Sequence, residues 1–340
     1  MTVGGFFGLN TAVSGQRIEG NVLGKGGFFG EVPVPPVSSG WTAQTRFVTT
    51  PLTGIASNGA GVLIATDQFL HIYRSTDGGV TWTLVATLAT GTPGFFANIN
   101  YSHGVFITFG AGAGQIFRST DQGLTWSGLI VTGLGTGGAA LAGDGAGNWL
   151  ATSISSSNVS VSADDGVTWT VHATTARQWS AKSTLWDGAQ WVSTGEQAVS
   201  ANNEIITSPD GFTLTETVSV PAGLFINNTI AFQGGIYMVP VGSSIGVRVS
   251  NTTAAALATN ADTPVPLTGT MVSVVGAAGK WFAFDNIGGV ADSADSLVWH
   301  TATEPLNFVA GDHCLQCVYD AAHAVFVAIG ASHGSISTHT

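Results

Sequence analysis

The chain has 340 residues, of which 47 are Gly, 44% are hydrophobic and only 9% are charged; this excludes a helical enzyme and fits short strands joined by tight turns. A net charge of −11, with nine Lys and Arg scattered singly, repels a phosphate backbone and argues against nucleic acid as a partner. No apolar run reaches the 18 or more residues of a membrane-spanning helix, so no span is expected.

Residues 1–36 differ in character from the rest of the chain. They spell Gly4-Gly5-Phe6-Phe7-Gly8 and again Gly26-Gly27-Phe28-Phe29-Gly30, then end in the Pro-rich Val32-Pro33-Val34-Pro35-Pro36. A Pro-rich stretch makes a stiff, extended spacer. Segments that stay disordered are usually polar and poor in aromatics, so four Phe set among Gly point to an arm that orders on a partner. The expected division is an attachment arm at 1–36 and a folded part at 37–340. The start, Met1-Thr2-Val3-Gly4-Gly5-Phe6, has neither a basic region nor an apolar core of signal-peptide length, so export by that route is not expected.

The folded part is written in repeats. Ser75-Thr76-Asp77-Gly78-Gly79-Val80-Thr81-Trp82 returns as Ser119-Thr120-Asp121-Gln122-Gly123-Leu124-Thr125-Trp126. A third copy is Ser162-Ala163-Asp164-Asp165-Gly166-Val167-Thr168-Trp169. Weaker copies begin at Ser208, where Asp210 remains but the Trp is missing, at Ser250, and at Ser293, where Asp295 and Trp299 remain. Their serines lie 42 to 46 residues apart, and one more step lands on Ser337. In each full copy the Asp can accept N–H bonds within a tight turn and the Gly supplies a backbone angle other residues resist. The Thr-Trp pair suits the start of the next strand.

A second ladder runs in step. Apolar strands follow Gly-rich turns at Val62, Val105, Trp149, Trp191, Tyr237, Trp281 and Val325. A period in the forties is the length of a four-stranded propeller blade, and seven rungs predict seven blades. After Ser337-Thr338-His339-Thr340 no chain is left for an outermost strand of blade seven. The segment 40–48, which starts Gly40-Trp41-Thr42, has the character of that missing strand. It is expected to close the ring, which removes two exposed sheet edges.

The repeated octet resembles the Asp-box, or bacterial neuraminidase repeat. The resemblance implies an all-β, seven-bladed propeller in which Asp77, Asp121, Asp164, Asp210 and Asp295, with Trp82, Trp126 and Trp169, are structural and lie away from any active site. It also raises sialidase activity. Sialidases of this repeat class are expected to hold the sugar carboxylate with three Arg, one in an R-I-P motif, and to need a Tyr–Glu pair and an Asp acid/base. Here Arg46 is followed by Phe47-Val48, and Arg74 and Arg118 stand directly before box serines. Arg177 and Arg248 remain in the blades, too few for the triad. No catalytic set, cofactor or metal is therefore expected.

Two further groups carry weak signals. Glu196 and Glu204 read as loop carboxylates between the second and third strands of blade four, a weak match to the carboxylate pair of a glycosidase. Cys314 and Cys317, in Asp312-His313-Cys314-Leu315-Gln316-Cys317, lack the second ligand pair of a zinc knuckle. Residues three apart on a strand face opposite sides, so these read as core thiols.

The binding candidates are aromatics in loops. Loops entering each innermost strand share a face with those joining strands two and three. Arg177, Gln178 and Trp179 ahead of blade four, Phe69 in blade one and a linker at 260–264 before blade six fall there. A Trp ring flanked by Arg and Gln donors would serve as a sugar platform. The expected function is that of a bacteriophage structural and binding protein, of tail-tip or fibre type. Its arm, through Phe6, Phe7, Phe28 and Phe29, docks on other virion proteins in multiple copies. Its propeller faces outward, with host-surface carbohydrate as the expected ligand and the virion as its location after synthesis in the host cytoplasm. The alternative is a carbohydrate-active enzyme, glycosidase or sialidase-like, on the same propeller; an assembly factor built on this fold comes third.

Overall fold

Short strands rich in β-branched and aromatic residues, separated by Gly turns, settle into seven four-stranded antiparallel sheets in the computed structural model. The structure describes residues 40–340 except 89–97, 111–113, 132–133, 135–137, 154–157, 174–178, 198–202, 214, 221–228, 242–245, 252, 255–256, 258–259 and 303–305. What the sequence leads one to expect of 1–36, including Phe6, Phe7, Phe28 and Phe29, lies outside the described residues. No described helix is long and apolar enough to cross a membrane.

Blade one runs from the axis outward as Leu52–Ser57, Leu63–Asp67, His71–Ser75 and Thr83–Thr87, each strand paired with the next. Blades two to six repeat that order. First strands pack on one another around the axis, Leu52–Ser57 touching both Ile99–Ser102 and Cys314–Asp320. The second strands Leu63–Asp67 and Val105–Phe109 are buried at every position, because each face meets a neighbouring blade. The core is accordingly a set of layers between blades. One joins Leu63 and Ala65 of blade one to Val325, Val327 and Ile329 of blade seven.

The ring closes as the strand pattern predicts. Blade seven comprises Cys314–Asp320, Val325–Gly330 and Ile336–His339, and its outermost strand is Trp41–Ala43 from the other end of the chain. Trp41 pairs with His339 and Ala43 with Ser337, and the Gln44 amide donates to the Ile336 carbonyl at 2.9 Å. The closing strand is shorter than 40–48. Spacing places Ser337 on the ladder of box serines, but its register differs. Box serines stand opposite the start of the second strand, as Ser75 does opposite Leu63 and Ser293 opposite Trp281. In blade seven Ser337 instead faces Ala328, in mid-strand, so its match to the ladder comes from strand length alone. The expected linker at 260–264 is also partly strand: Asp262–Pro264 is the fourth strand of blade five.

Each intact box is a closed set of bonds. Ser75 Oγ donates to Asp77 Oδ1 at 2.8 Å and accepts from the Gly79 amide at 3.0 Å. The Thr81 amide donates to Asp77 Oδ1 at 2.9 Å, and Trp82 Nε1 to the Gly79 carbonyl at 2.9 Å. Asp121 and Asp164 repeat these contacts with Ser119 and Thr125, and with Ser162 and Thr168. Trp126 and Trp169 likewise bond the Gly123 and Gly166 carbonyls. The box also fastens one blade to the last. A Cβ on Gly123 would lie 2.2 Å from Ile64 of blade one, and one on Gly166 2.3 Å from Ile107 of blade two, so these glycines are required for contact as well as for positive φ. From the other side, Arg74 Nε donates to the Gln122 carbonyl at 2.9 Å and Arg118 Nε to the Asp165 carbonyl at 2.6 Å. Each arginine ahead of a box serine thus grips the box of the next blade.

Candidate functional site

Antiparallel blades put box turns and first-to-second turns on one face of the ring, and second-to-third turns and the connections between blades on the other. Both faces carry a depression. On the second, Asp67 ends a fully buried strand, and its carboxylate accepts bonds from the Phe69 amide at 2.9 Å, the His71 amide at 3.0 Å and Thr50 Oγ1 at 2.9 Å. His71 Nδ1 lies 2.8 Å from the same carboxylate, and the Tyr73 hydroxyl donates to it at 3.3 Å. Burial, and then the Asp67 charge, push the Tyr73 hydroxyl up to about 12. These residues, with Arg46 and Phe47, line a depression of about 380 Å³. Phe69 sits beside it at the turn, 38% exposed, its ring 6.1 Å from that of His71.

The expected platform is only partly covered. Arg177 and Gln178 lie outside the described residues. Trp179 opens the first strand of blade four, Trp179–Trp186, with its backbone opposite Gln197. The expected loop position of Glu196 and Glu204 is wrong: Glu196 is in the second strand of blade four and Glu204 in the third, where it is buried opposite Gly195. Arg248 is also structural, its Nε 2.7 Å from Asp262 Oδ1 across the third and fourth strands of blade five. Cys314 and Cys317 are buried thiols in the first strand of blade seven, and burial pushes both up. They do not face opposite sides. A bulge between Cys314 and Gln316 shifts the alternation and brings both into one apolar cluster with Phe282 and Phe326. Among the described residues no group of His, Cys, Asp and Glu is arranged to hold a metal ion.

The larger depression, about 610 Å³, lies on the box face between blades three and four. Its walls include Asp144, Asp164, His172, Trp186, Asp210 and Phe212. The rings of His172 and Phe212 stack 4.3 Å apart at 10°, and Trp186 meets Trp191 edge-on at 5.0 Å. Phe212 is 43% exposed. Burial raises the Asp210 carboxyl, but bonds from Thr213, the Phe212 amide and Ser208 outweigh it and hold it at about 2. At Asp164 the Thr168 side chain and amide bring the carboxyl down. Both stay ionised at neutral pH. The octet pattern did not point to this cleft, because it forms between two boxes, one of which has no Trp and carries Phe212 at the exposed position that Val80, Leu124 and Val167 hold in the intact copies.

Four further carboxylates act as fasteners. Asp285 accepts amides of Gly269, Ile287 and Gly289. Asp187 bonds the Ala189 and Gln190 amides and the Tyr237 hydroxyl of blade five. Asp320 bonds Ser57 Oγ and the Gly61 amide of blade one. Asp312 holds the amides of Ser332 and His333.

A family model described as the BNR/Asp-box repeat matches residues 73–84, the first box and its flanks. No curated protein matches the chain in sequence. Among solved structures, YCF48 bound to a D1 peptide superposes with a TM-score of 0.71 at 11% identity, covering 88% of this chain and 96% of that one. A catalytically inactive virginiamycin B lyase from Staphylococcus aureus with quinupristin gives 0.69 at 12% identity, over 88% and 98%. The GH74 xyloglucanase from Xanthomonas campestris gives 0.65 at 13%, over 88% of this chain and 53% of that one. At such identities the likeness is one of fold alone, that of the propeller.

Proposed function

We propose that this chain is a non-catalytic binding propeller of a bacteriophage particle, in which residues 1–36 dock on other virion proteins and the ring offers a carbohydrate-binding surface. The observation that carries the binding half is the use made of acidic groups. Asp67, Asp187, Asp285, Asp312 and Asp320 are tied by turn amides and hydroxyls, so they act in holding loops and blades in place. Between these fastened turns the faces offer aromatic rings and hydrogen-bonding groups, which is what a recognition surface needs. The attachment half is supported by the duplicated Gly-Gly-Phe-Phe-Gly of the first 36 residues. Burying a Phe contributes about 1.5–3 kcal/mol, whereas ordering a residue costs about 1 kcal/mol or more, so two anchored patches around the Phe pairs fit better than a fully fixed arm.

The test is particle incorporation. Phe6, Phe7, Phe28 and Phe29 are replaced by Ser in the full chain, and copy number is measured in purified particles. The variant is expected to melt like the parent and to be missing from particles. Incorporation at normal copy number would remove the attachment role.

A further inference from the structure

The cleft between blades three and four brings together an exposed aromatic stack and a set of hydrogen-bond acceptors. At the exposed box position where other copies carry Val80, Leu124 and Val167 the copy at Ser208 carries an aromatic, and Phe212, 43% exposed, lies flat on the His172 ring. Around it stand three carboxylates whose local bonds leave capacity. Oδ2 of Asp144 accepts one bond, from Asn148, Oδ2 of Asp164 one from Thr168, and Oδ2 of Asp210 one from Thr213. A carboxylate oxygen has two lone pairs, so each can accept another donor. The Thr168 and Thr170 side chains also line the cleft, and no Lys or Arg is among its lining residues.

From this geometry we propose that the cleft is a binding site for a neutral saccharide, whose apolar ring face lies on Phe212 and whose hydroxyls donate to Asp144, Asp164 and Asp210. This rests on the carbohydrate-binding half of the proposed function and moves the site to the face opposite Phe69 and Trp179. The absence of a cation from the lining, together with ionised carboxylates, disfavours sialic and uronic acids. The flat stacked rings favour a ring-shaped ligand over a bare cation, and the volume falls in the range of small-molecule sites.

The test titrates cellobiose, lactose, maltose and N,N′-diacetylchitobiose into the full chain, following tryptophan fluorescence and calorimetry, with a pentalysine peptide in parallel. At least one disaccharide is expected to bind saturably. Phe212→Ala should weaken it about tenfold or more with little change in Tm, Asp144→Asn should weaken it less, and Phe69→Ala should leave it unchanged. Binding abolished by Phe69→Ala and kept by Phe212→Ala would overturn this site while the carbohydrate-binding reading stands. Pentalysine binding that depends on Phe212, without sugar binding, would make the cleft a basic-peptide site and overturn the proposal. No binding of any probe would overturn it too, and neither result touches the attachment role, which incorporation reads separately.

Discussion

Blades one to three and the seam between blades six and seven both join neighbouring blades through apolar layers, but they differ in what is added to them. In blades one to three a polar, repeated joint is added to the apolar layers: a box turn closed by its Asp, a Gly pressed on the preceding blade, an Arg reaching to the next. At the seam the joint is apolar and unrepeated. Trp41 is 1% exposed and packs edge-on to Phe282 at 5.4 Å, and Phe282 meets Phe326 at 4.9 Å and His339 at 5.0 Å. Inside blade seven, where distant parts of the chain meet, the three-residue closing strand offers few backbone bonds, and burial of Trp41 against Phe282 of blade six adds to them.

The largest effect should follow from removing one side of the seam. Deleting residues 37–48 takes away Trp41 and the closing strand, opens a sheet edge in blade seven and bares Phe282. Cooperative melting and solubility should both be lost, and a deletion variant that melts like the parent would refute the closure. Next in size, Phe282→Ala should cost about 3–5 kcal/mol by denaturant unfolding, the usual loss for a buried ring.

The polar joints should prove cheaper singly. Asp77→Ala and Asp121→Ala each leave turn donors unpaired and should cost about 1–3 kcal/mol. A much larger loss would mean that the boxes, and not the layers between blades, hold the ring.

The smallest effect is one of pH and separates the two joints by window. Burial, and then the Lys280 charge, push His339 from its ordinary 6.5 down to about 4, and neither ring nitrogen finds a hydrogen-bond partner among the described residues. The unfolded chain therefore takes up a proton near 6.5 that the folded chain refuses until about 4. Stability should fall as pH drops through that interval and level off below it. The box carboxylates sit below their ordinary 3.8, Asp210 at about 2, so their contribution is lost only as pH falls further. His339→Leu should flatten the first interval and leave the second, as read by unfolding midpoints across pH.

Much of the fold was legible because the repeat shows in residues that act within a single turn. Ser, Asp, Gly, Thr and Trp of the box bond one another within eight positions, and the second strands begin in step with them. The closing strand was legible from an unpaired edge and a Trp start. What stayed hidden lies between blades or depends on register. The contact of Gly123 with Ile64 joins residues a blade apart, and its positive φ already accounts for the Gly. A single bulge reversed the facing of Cys314 and Cys317, and strand length disguised Ser337 as a box serine. The cleft at Phe212 was hidden most fully, since it appears where a box has decayed.

If this ring binds without turning its ligand over, retention and turnover must separate in one experiment. The full chain is incubated with a panel of aryl glycosides, sialosides and neutral disaccharides while both retention on the protein and release of product are followed. Saturable retention of a neutral saccharide that is recovered intact is the expected result. Steady product release above the protein-free rate would contradict it.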